Sequence, residues 1–256
     1  MKKLPPTSVG GGTNFDREIW EETLENIKTN NINSQEIVEN FILFLRRVNL
    51  SRFIAQYEVF KKSINVPGAI VDCGVFKGQT LMTWAKLVEI LCPGDTFKHI
   101  IGFDTFSGFT KINKKDGKTI DKRDKKIGGF NSKSFLTALE NIIQINQKDS
   151  MIPRFSRVKL VKGDVVKTIP RFVKENQGLR ISLLHLDMDL YEPTKVALEN
   201  LYPLVSPGGI VLLDEYGMQD FEGESKAFDE YFGNSKPKIF KFPYTPTPGA
   251  YFIKEN

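Results

Sequence analysis

Apolar positions along this chain change their period once, near Pro67-Gly68. Before that point Ile19, Trp20, Leu24 and Ile27, and then Ile37, Phe41, Phe44 and Leu45, recur at spacings of mostly three or four residues. That is the period of a helix, so residues 15–66 are expected to be helical, with Ser34 as an N-cap and Glu36 in the following turn. After it, Ala69-Ile70-Val71 is a short run rich in β-branched residues that ends at Asp72. Further strand candidates follow at Ile100–Asp104, Val158–Lys162, Ile181–Asp187 and Gly209–Asp214, separated by helical runs at Thr80–Leu91, Ser134–Asn146, Pro193–Leu204 and Ser225–Phe232. Strands alternating with helices predict an α/β fold with a doubly wound, mostly parallel, Rossmann-like sheet. Lys238–Lys241 and Gly249–Lys254 are joined by Pro243–Pro248 with no room for a helix. An antiparallel hairpin is therefore expected at one edge.

Composition narrows the class. The 256 residues suit one domain over 15–256, preceded by an arm at 1–14 that contains PPTSVGGGT. The net charge of +5 is too modest to argue for nucleic acid. A basic patch beside an anionic small molecule would account for it equally well. Cys73 and Cys92 are too few for a disulfide framework or a zinc site, which points to a reducing, cytoplasmic setting. No run approaches the roughly 18–20 apolar residues of a membrane span, and Met1–Pro6 lacks the apolar stretch of a signal peptide. A homo-oligomer is compatible with all of this.

The chemistry concentrates where strands end. Val71-Asp72-Cys73-Gly74-Val75-Phe76-Lys77-Gly78-Gln79-Thr80 turns a strand through two glycines into an apolar helix. Gly74 would let the backbone approach a ligand, and Gly78 would let the next helix pack close with its N-terminal amides facing the site. Without a ligand, the same segment would be an ordinary tight turn. Its spacing matches neither G-x-G-x-x-G nor the phosphate-binding loop. Asp104 ends the second strand, where a carboxylate can hold both ribose hydroxyls of an adenosyl cofactor. It could instead cap the Thr105–Gly108 turn, which includes Phe106. Gly163-Asp164 ends the third strand, where an adenine ring could lie or where the pair could simply form a turn.

The densest constellation is LHLDMDLYEPT at 184–194 followed by LLDEYG at 212–217. Asp187, Asp214 and Glu215 would gather three carboxylates on one rim, and a hard cation such as Mg²⁺ would relieve their repulsion. Solvated caps or pairing with Lys and Arg would relieve it too. His185 should share a face with Asp187. A hydrogen-bonded core histidine is the favoured reading of it.

With these residues named, the chain resembles the macrocin O-methyltransferase family, whose relatives act on sugar hydroxyls of macrolide and aminocoumarin antibiotics. The resemblance runs from about Phe53 to Gly217 and rests on VPGAIVDCGVFKGQT, GFDTFSGF, VKGDVVKTIP, LHLDMDLYEPTKVALENLYPLVSPGG and LLDEYG. It implies a class I methyltransferase that uses S-adenosylmethionine and Mg²⁺. It further implies that the turn Asp72–Gly78 and Asp104 hold the cofactor, and that Asp187, Asp214 and Glu215 hold the metal. Several relatives have Glu in place of Asp72 and an Asp-Asp pair in place of Asp214-Glu215, exchanges that keep the charge.

The reaction expected is transfer of a methyl group to a hydroxyl of a small molecule, a sugar or a glycosylated or nucleotide-linked metabolite. Asp187 is the first candidate for general base and His185 the second. Asp189 is expected to cap the helix that Pro193 begins, or to orient Asp187. Lys111–Lys126 is basic, and within 111–130 Gly117 and Gly128-Gly129 could hinge a lid that closes over an anionic acceptor. The sequence also admits two other functions: a non-catalytic module that binds an adenosyl cofactor or nucleotide sugar, and a nucleic-acid methyltransferase. The three-carboxylate rim argues against the first, and the absence of an N-P-P-[YF] motif or an aromatic-interleaved basic stripe argues against the second.

Overall fold

A computed structural model of the chain describes residues 14–118, 125–152 and 155–255. Helices α1 (Asn14–Thr29), α2 (Ser34–Glu39), α3 (Phe41–Phe44) and α4 (Arg47–Ser63) precede the first strand, as the period predicts. The cap of α2 falls one residue earlier than expected. Asn33, not Ser34, accepts the amide of Glu36, and the Glu36 carboxylate accepts the amide of Asn33 in a full capping box.

The chain then alternates through β1 (Ala69–Cys73), α5 (Gln79–Leu91), β2 (Ile100–Asp104), α6 (Leu136–Lys148), β3 (Val158–Lys162), α7 (Val165–Glu175), β4 (Ile181–Leu186), α8 (Tyr191–Leu201), β5 (Val205–Leu213), α9 (Glu222–Phe232) and β6 (Ala250–Ile253). Among the described residues the strands form one sheet in the order β3-β2-β1-β4-β5-β6, parallel except for the β5–β6 pair. The antiparallel edge is thus β5 with β6. Residues 238–241 do not form the expected hairpin strand: only Phe240 bridges to Tyr251.

Side chains alternate across the sheet and fill two cores. On one face Ile70, Ile100, Leu183 and Leu212 pack with Phe60 of α4, Leu81 and Trp84 of α5, and Leu139 of α6. On the other, Val71, Phe103, Leu184 and Val211 pack with Ile169 and Phe172 of α7, Leu198 of α8 and Phe228 of α9. Full burial of residues such as Phe60, Phe103 and Phe228 contributes on the order of 1.5–3 kcal/mol each. β1 is where the strand order reverses, so the carboxyl ends of β1 and β4 flank the crevice in which such sheets bind ligands.

Candidate active site at the carboxyl edge of the sheet

The apolar face beneath α4 and α5 turns polar at the carboxyl ends of its strands. In register, Asp72 of β1 lies beside His185 of β4, which lies beside Leu212 of β5. Period-two alternation then puts Asp214, two residues past Leu212, on the face of His185. His185 joins the two acids, with Nδ1 at 2.6 Å from Asp72 Oδ1 and Nε2 at 3.3 Å from Asp214 Oδ1. Burial alone would lower the pKa of His185, but the hydrogen bonds to Asp214 and Asp72 outweigh it and push the value up to about 10. The ring is fully buried with both nitrogens engaged, as a core histidine would be.

A residue that sequence reasoning missed completes the cluster. Arg52 of α4 donates from Nη2 to Asp187 Oδ2 at 2.8 Å, and from Nη1 to Asp214 Oδ2 and Thr247 Oγ1, both at 2.8 Å. Burial disfavours this charge, yet Asp214 and then Asp187 more than compensate, so the guanidinium stays firmly protonated. Burial would also raise Asp214, but Arg52 and His185 hold it below the usual carboxylate range. Asp187 is pushed up to about 7, first by burial and then by the charge of Asp214.

Among the described residues, the metal-ligating types that converge within 4.8 Å are His185, Asp187 and Asp214. Glu215, just past the end of β5, is not in that group. Its amide instead meets Glu224 of α9, whose Oε1 accepts it at 3.0 Å. Burial raises the pKa of Glu215, and Asp189, Asp214, Asp187 and Glu224 raise it further. Oε2 of both Glu215 and Glu224 is buried without a partner. The N-cap residue of α8 is Leu190, and Asp189 stands just before it at φ 62°. The helix starts at Tyr191, and its amide is accepted by Asp116 Oδ1 at 2.6 Å from 75 residues upstream.

The glycine turn lies against this cluster. A Cβ on Gly74, at φ +103°, would sit 1.7 Å from the carbonyl oxygen of Asp187, while the Asp187 amide donates to Cys73 O at 2.8 Å. Gly78, at φ +87°, caps α5 and packs on Leu139. Asp104 clamps the turn, accepting the amides of Phe76 at 2.7 Å and Phe106 at 2.6 Å. It therefore performs the turn-capping role, and each oxygen keeps a second lone pair for a hydroxyl donor. Cys73 and Val75 point into the two cores, leaving only their backbones for a ligand. Thr80 Oγ1 accepts from Gln56 Nε2 at 3.1 Å. Thr105 Oγ1 donates to Gly108 O at 2.8 Å, and Phe106 is buried. Gly163 donates its amide to Asp104 O at 2.8 Å, and Asp164 caps α7 by accepting from Val166 N at 3.1 Å.

The basic loop is tied down at both described flanks. Lys111 pairs with Glu192 at 3.0 Å, Lys115 with Glu230 at 2.7 Å, and the buried Lys125 Nζ donates to the carbonyls of Asp116, at 2.7 Å, and Asp220. These lysines already have protein partners; Lys122 and Arg123 of the expected lid lie outside the described residues, as do residues 1–13 of the expected arm. No described helix is long and apolar enough to cross a membrane.

Residues 46–237 match the family model of macrocin-O-methyltransferase (TylF). The chain is 29% identical over 176 residues to 8-demethyl-8-(2,3-dimethoxy-α-L-rhamnosyl)-tetracenomycin-C 4'-O-methyltransferase of Streptomyces olivaceus, covering 67% of this chain and 62% of that one. It is 29% identical over 154 residues to demethyldecarbamoylnovobiocin O-methyltransferase of Streptomyces niveus, covering 60% and 55%. The matched stretch thus spans less than two thirds of either curated relative. Among solved structures, the calicheamicin methyltransferase CalS11 superposes with a TM-score of 0.86 at 29% identity, covering 100% of this chain and 99% of that one. A second, apo structure of the same enzyme, described as a TDP-rhamnose 3'-O-methyltransferase, gives 0.77 at 28% identity, covering 97% and 98%.

Proposed function

We propose, for a chain that belongs to the macrocin-O-methyltransferase (TylF) family, that it transfers a methyl group from S-adenosylmethionine to a sugar hydroxyl of a small molecule with the help of a divalent metal. The observation that carries this reading is the contact between Gly74 and Asp187: the turn that would hold the cofactor touches the acids that would hold the acceptor. Relatives named for methylating a rhamnosyl group and TDP-rhamnose support a sugar or nucleotide-linked sugar as acceptor.

The residues fit both bound groups. Gly74 leaves a cradle that a Cβ would fill, and Asp72 Oδ2 is buried without a partner beside it. Asp72, the backbone from Gly74 to Gly78, and Asp104 would hold S-adenosylmethionine, which supplies an activated methyl group. For the metal, the donors are hard carboxylate oxygens. Asp187, Asp189, Asp214, Glu215 and Glu224 crowd negative charge together and raise one another's electrostatic cost, which Arg52 and His185 partly offset. Asp187, Asp214 and Glu215 would hold Mg²⁺, which supplies Lewis acidity to a hydroxyl that is otherwise a poor acid.

The chain's own residues supply position and a proton acceptor. Asp187 is the more open of the two acids paired with Arg52, its side chain 22% exposed against 5% for Asp214. That opening makes Asp187 the general base of the two, because a hydroxyl entering from the crevice can reach it. His185 has no free ring nitrogen for that task and instead orients Asp214 against Asp72. The test is a side-by-side assay of labelled methyl transfer to nucleotide-linked sugars, free glycosides and RNA. Transfer to the sugar-bearing acceptors alone is expected; transfer confined to RNA would refute the reading.

A further inference from the structure

Arg52 does what a metal ion would do. Its guanidinium lies between Asp187 and Asp214, 6% exposed, with a third bond to Thr247. Both oxygens of Asp214 already face nitrogen donors, Oδ2 the Arg52 Nη1 and Oδ1 the His185 Nε2. A magnesium ion takes carboxylate oxygens at about 2.0–2.1 Å in strict octahedral geometry. An ion that close to oxygens already bonded by a guanidinium would face a second positive charge within a few ångströms, in a buried place where screening is weak.

We infer that Arg52 is the resident counter-cation of Asp187 and Asp214 and that a divalent ion entering there displaces it, so that metal occupancy alters the docking of α4. The inference rests on the metal reading proposed above. The packing of α4 makes its amino-terminal half the part that responds. Val59 and Phe60 anchor the carboxyl-terminal half in the core, whereas in the first turns Leu50 and Ile54 face outward, Ser51 and Arg52 are the buried side chains, and the preceding α2 and α3 bury no residue. The long-range polar ties of this half run through Arg52, to partners 135, 162 and 195 residues away. Withdrawing that side chain leaves the first turns of α4 with few buried contacts, the condition under which a segment opens locally.

The test combines Mn²⁺ binding by electron paramagnetic resonance with amide hydrogen exchange, on the full chain without acceptor. In the wild type, Mn²⁺ should bind and speed exchange at residues 47–55 by about tenfold or more while leaving β1 and β4 protected. Arg52→Gln, which removes the competing charge, should bind Mn²⁺ about tenfold more tightly or better. Its α4 amides should exchange fast with or without the ion. Mn²⁺ that binds the wild type and leaves α4 exchange unchanged or slower overturns the inference, and this holds even if the variant fails to fold. Equal or weaker binding by a folded Arg52→Gln overturns it as well. Absence of Mn²⁺ binding by both proteins would instead remove the metal reading itself, and the displacement with it.

Discussion

Nδ1 of His185 and Oδ1 of Asp72 lie 2.6 Å apart, both side chains fully buried between β1 and β4. With Asp214 on the other ring nitrogen, the folded protein holds the imidazolium to about pH 10, far above its ordinary value of 6.5. The folded state therefore binds one more proton than the unfolded chain between those values, so stability falls as pH rises through that window. The stabilising contribution is complete below about pH 6.5 and gone above about pH 10. Denaturant unfolding across this range should lose up to about 1.4 kcal/mol per pH unit, the limit for one proton. His185→Gln should flatten the profile; an unchanged slope in the variant would show that the imidazole is neutral.

The two glycines of the cofactor turn should differ in tolerance. At Gly74 a Cβ meets the Asp187 carbonyl, which is backbone and cannot yield without moving β4 away from β1. At Gly78 it meets Leu139 Cδ1, the end of a flexible side chain. Both substitutions carry the strain of positive φ, but Gly74→Ala should cost more than the roughly 1–3 kcal/mol of ordinary overpacking. Thermal melts that rank Gly78→Ala as the more damaging change would contradict this contact.

Asp104→Ala removes the acceptor for the amides of Phe76 and Phe106 as well as that for ribose hydroxyls. Hydrogen bonds to a charged group are worth roughly 1.5–3 kcal/mol, so S-adenosylmethionine affinity should fall about ten- to a hundredfold by calorimetry. Asp104→Asn keeps one acceptor oxygen and should fall between. Unchanged binding in both would leave Asp104 with the turn alone.

Lys125 is buried with its ammonium on the carbonyls of Asp116 and Asp220, tying the basic loop to the segment before α9. Lys125→Met leaves both carbonyls unsatisfied at a cost of about 1–3 kcal/mol. Limited proteolysis should then cut within residues 111–130 faster than in the wild type, while cofactor affinity is unaffected. Equal cutting rates would mean that the tether contributes nothing.

Strand ends were legible in the sequence because parallel strands buried on both faces read as short apolar runs bounded by glycine and acids. β1 to β4 appear within a residue or two of where the apolar runs place them. Helix α7 was not, although Val165, Ile169 and Phe172 carry its period, because Pro170 stands inside it and Pro normally ends a helix. Within the site, Asp72, Asp187 and Asp214 could be expected from their positions at strand ends, whereas Arg52, Asp116 and Glu224 could not. Each acts on residues distant in sequence: Arg52 reads locally as one more charge on an amphipathic helix, and Asp116 as one acid in a basic loop.

The most direct measurement is methyl transfer from labelled S-adenosylmethionine to a nucleotide-linked deoxysugar, followed in excess chelator and again after Mg²⁺ is restored. No turnover is expected in chelator, and full recovery once Mg²⁺ is restored. Asp214→Ala should still bind the cofactor yet recover nothing. A full rate in chelator would contradict the claim that these carboxylates work through a metal.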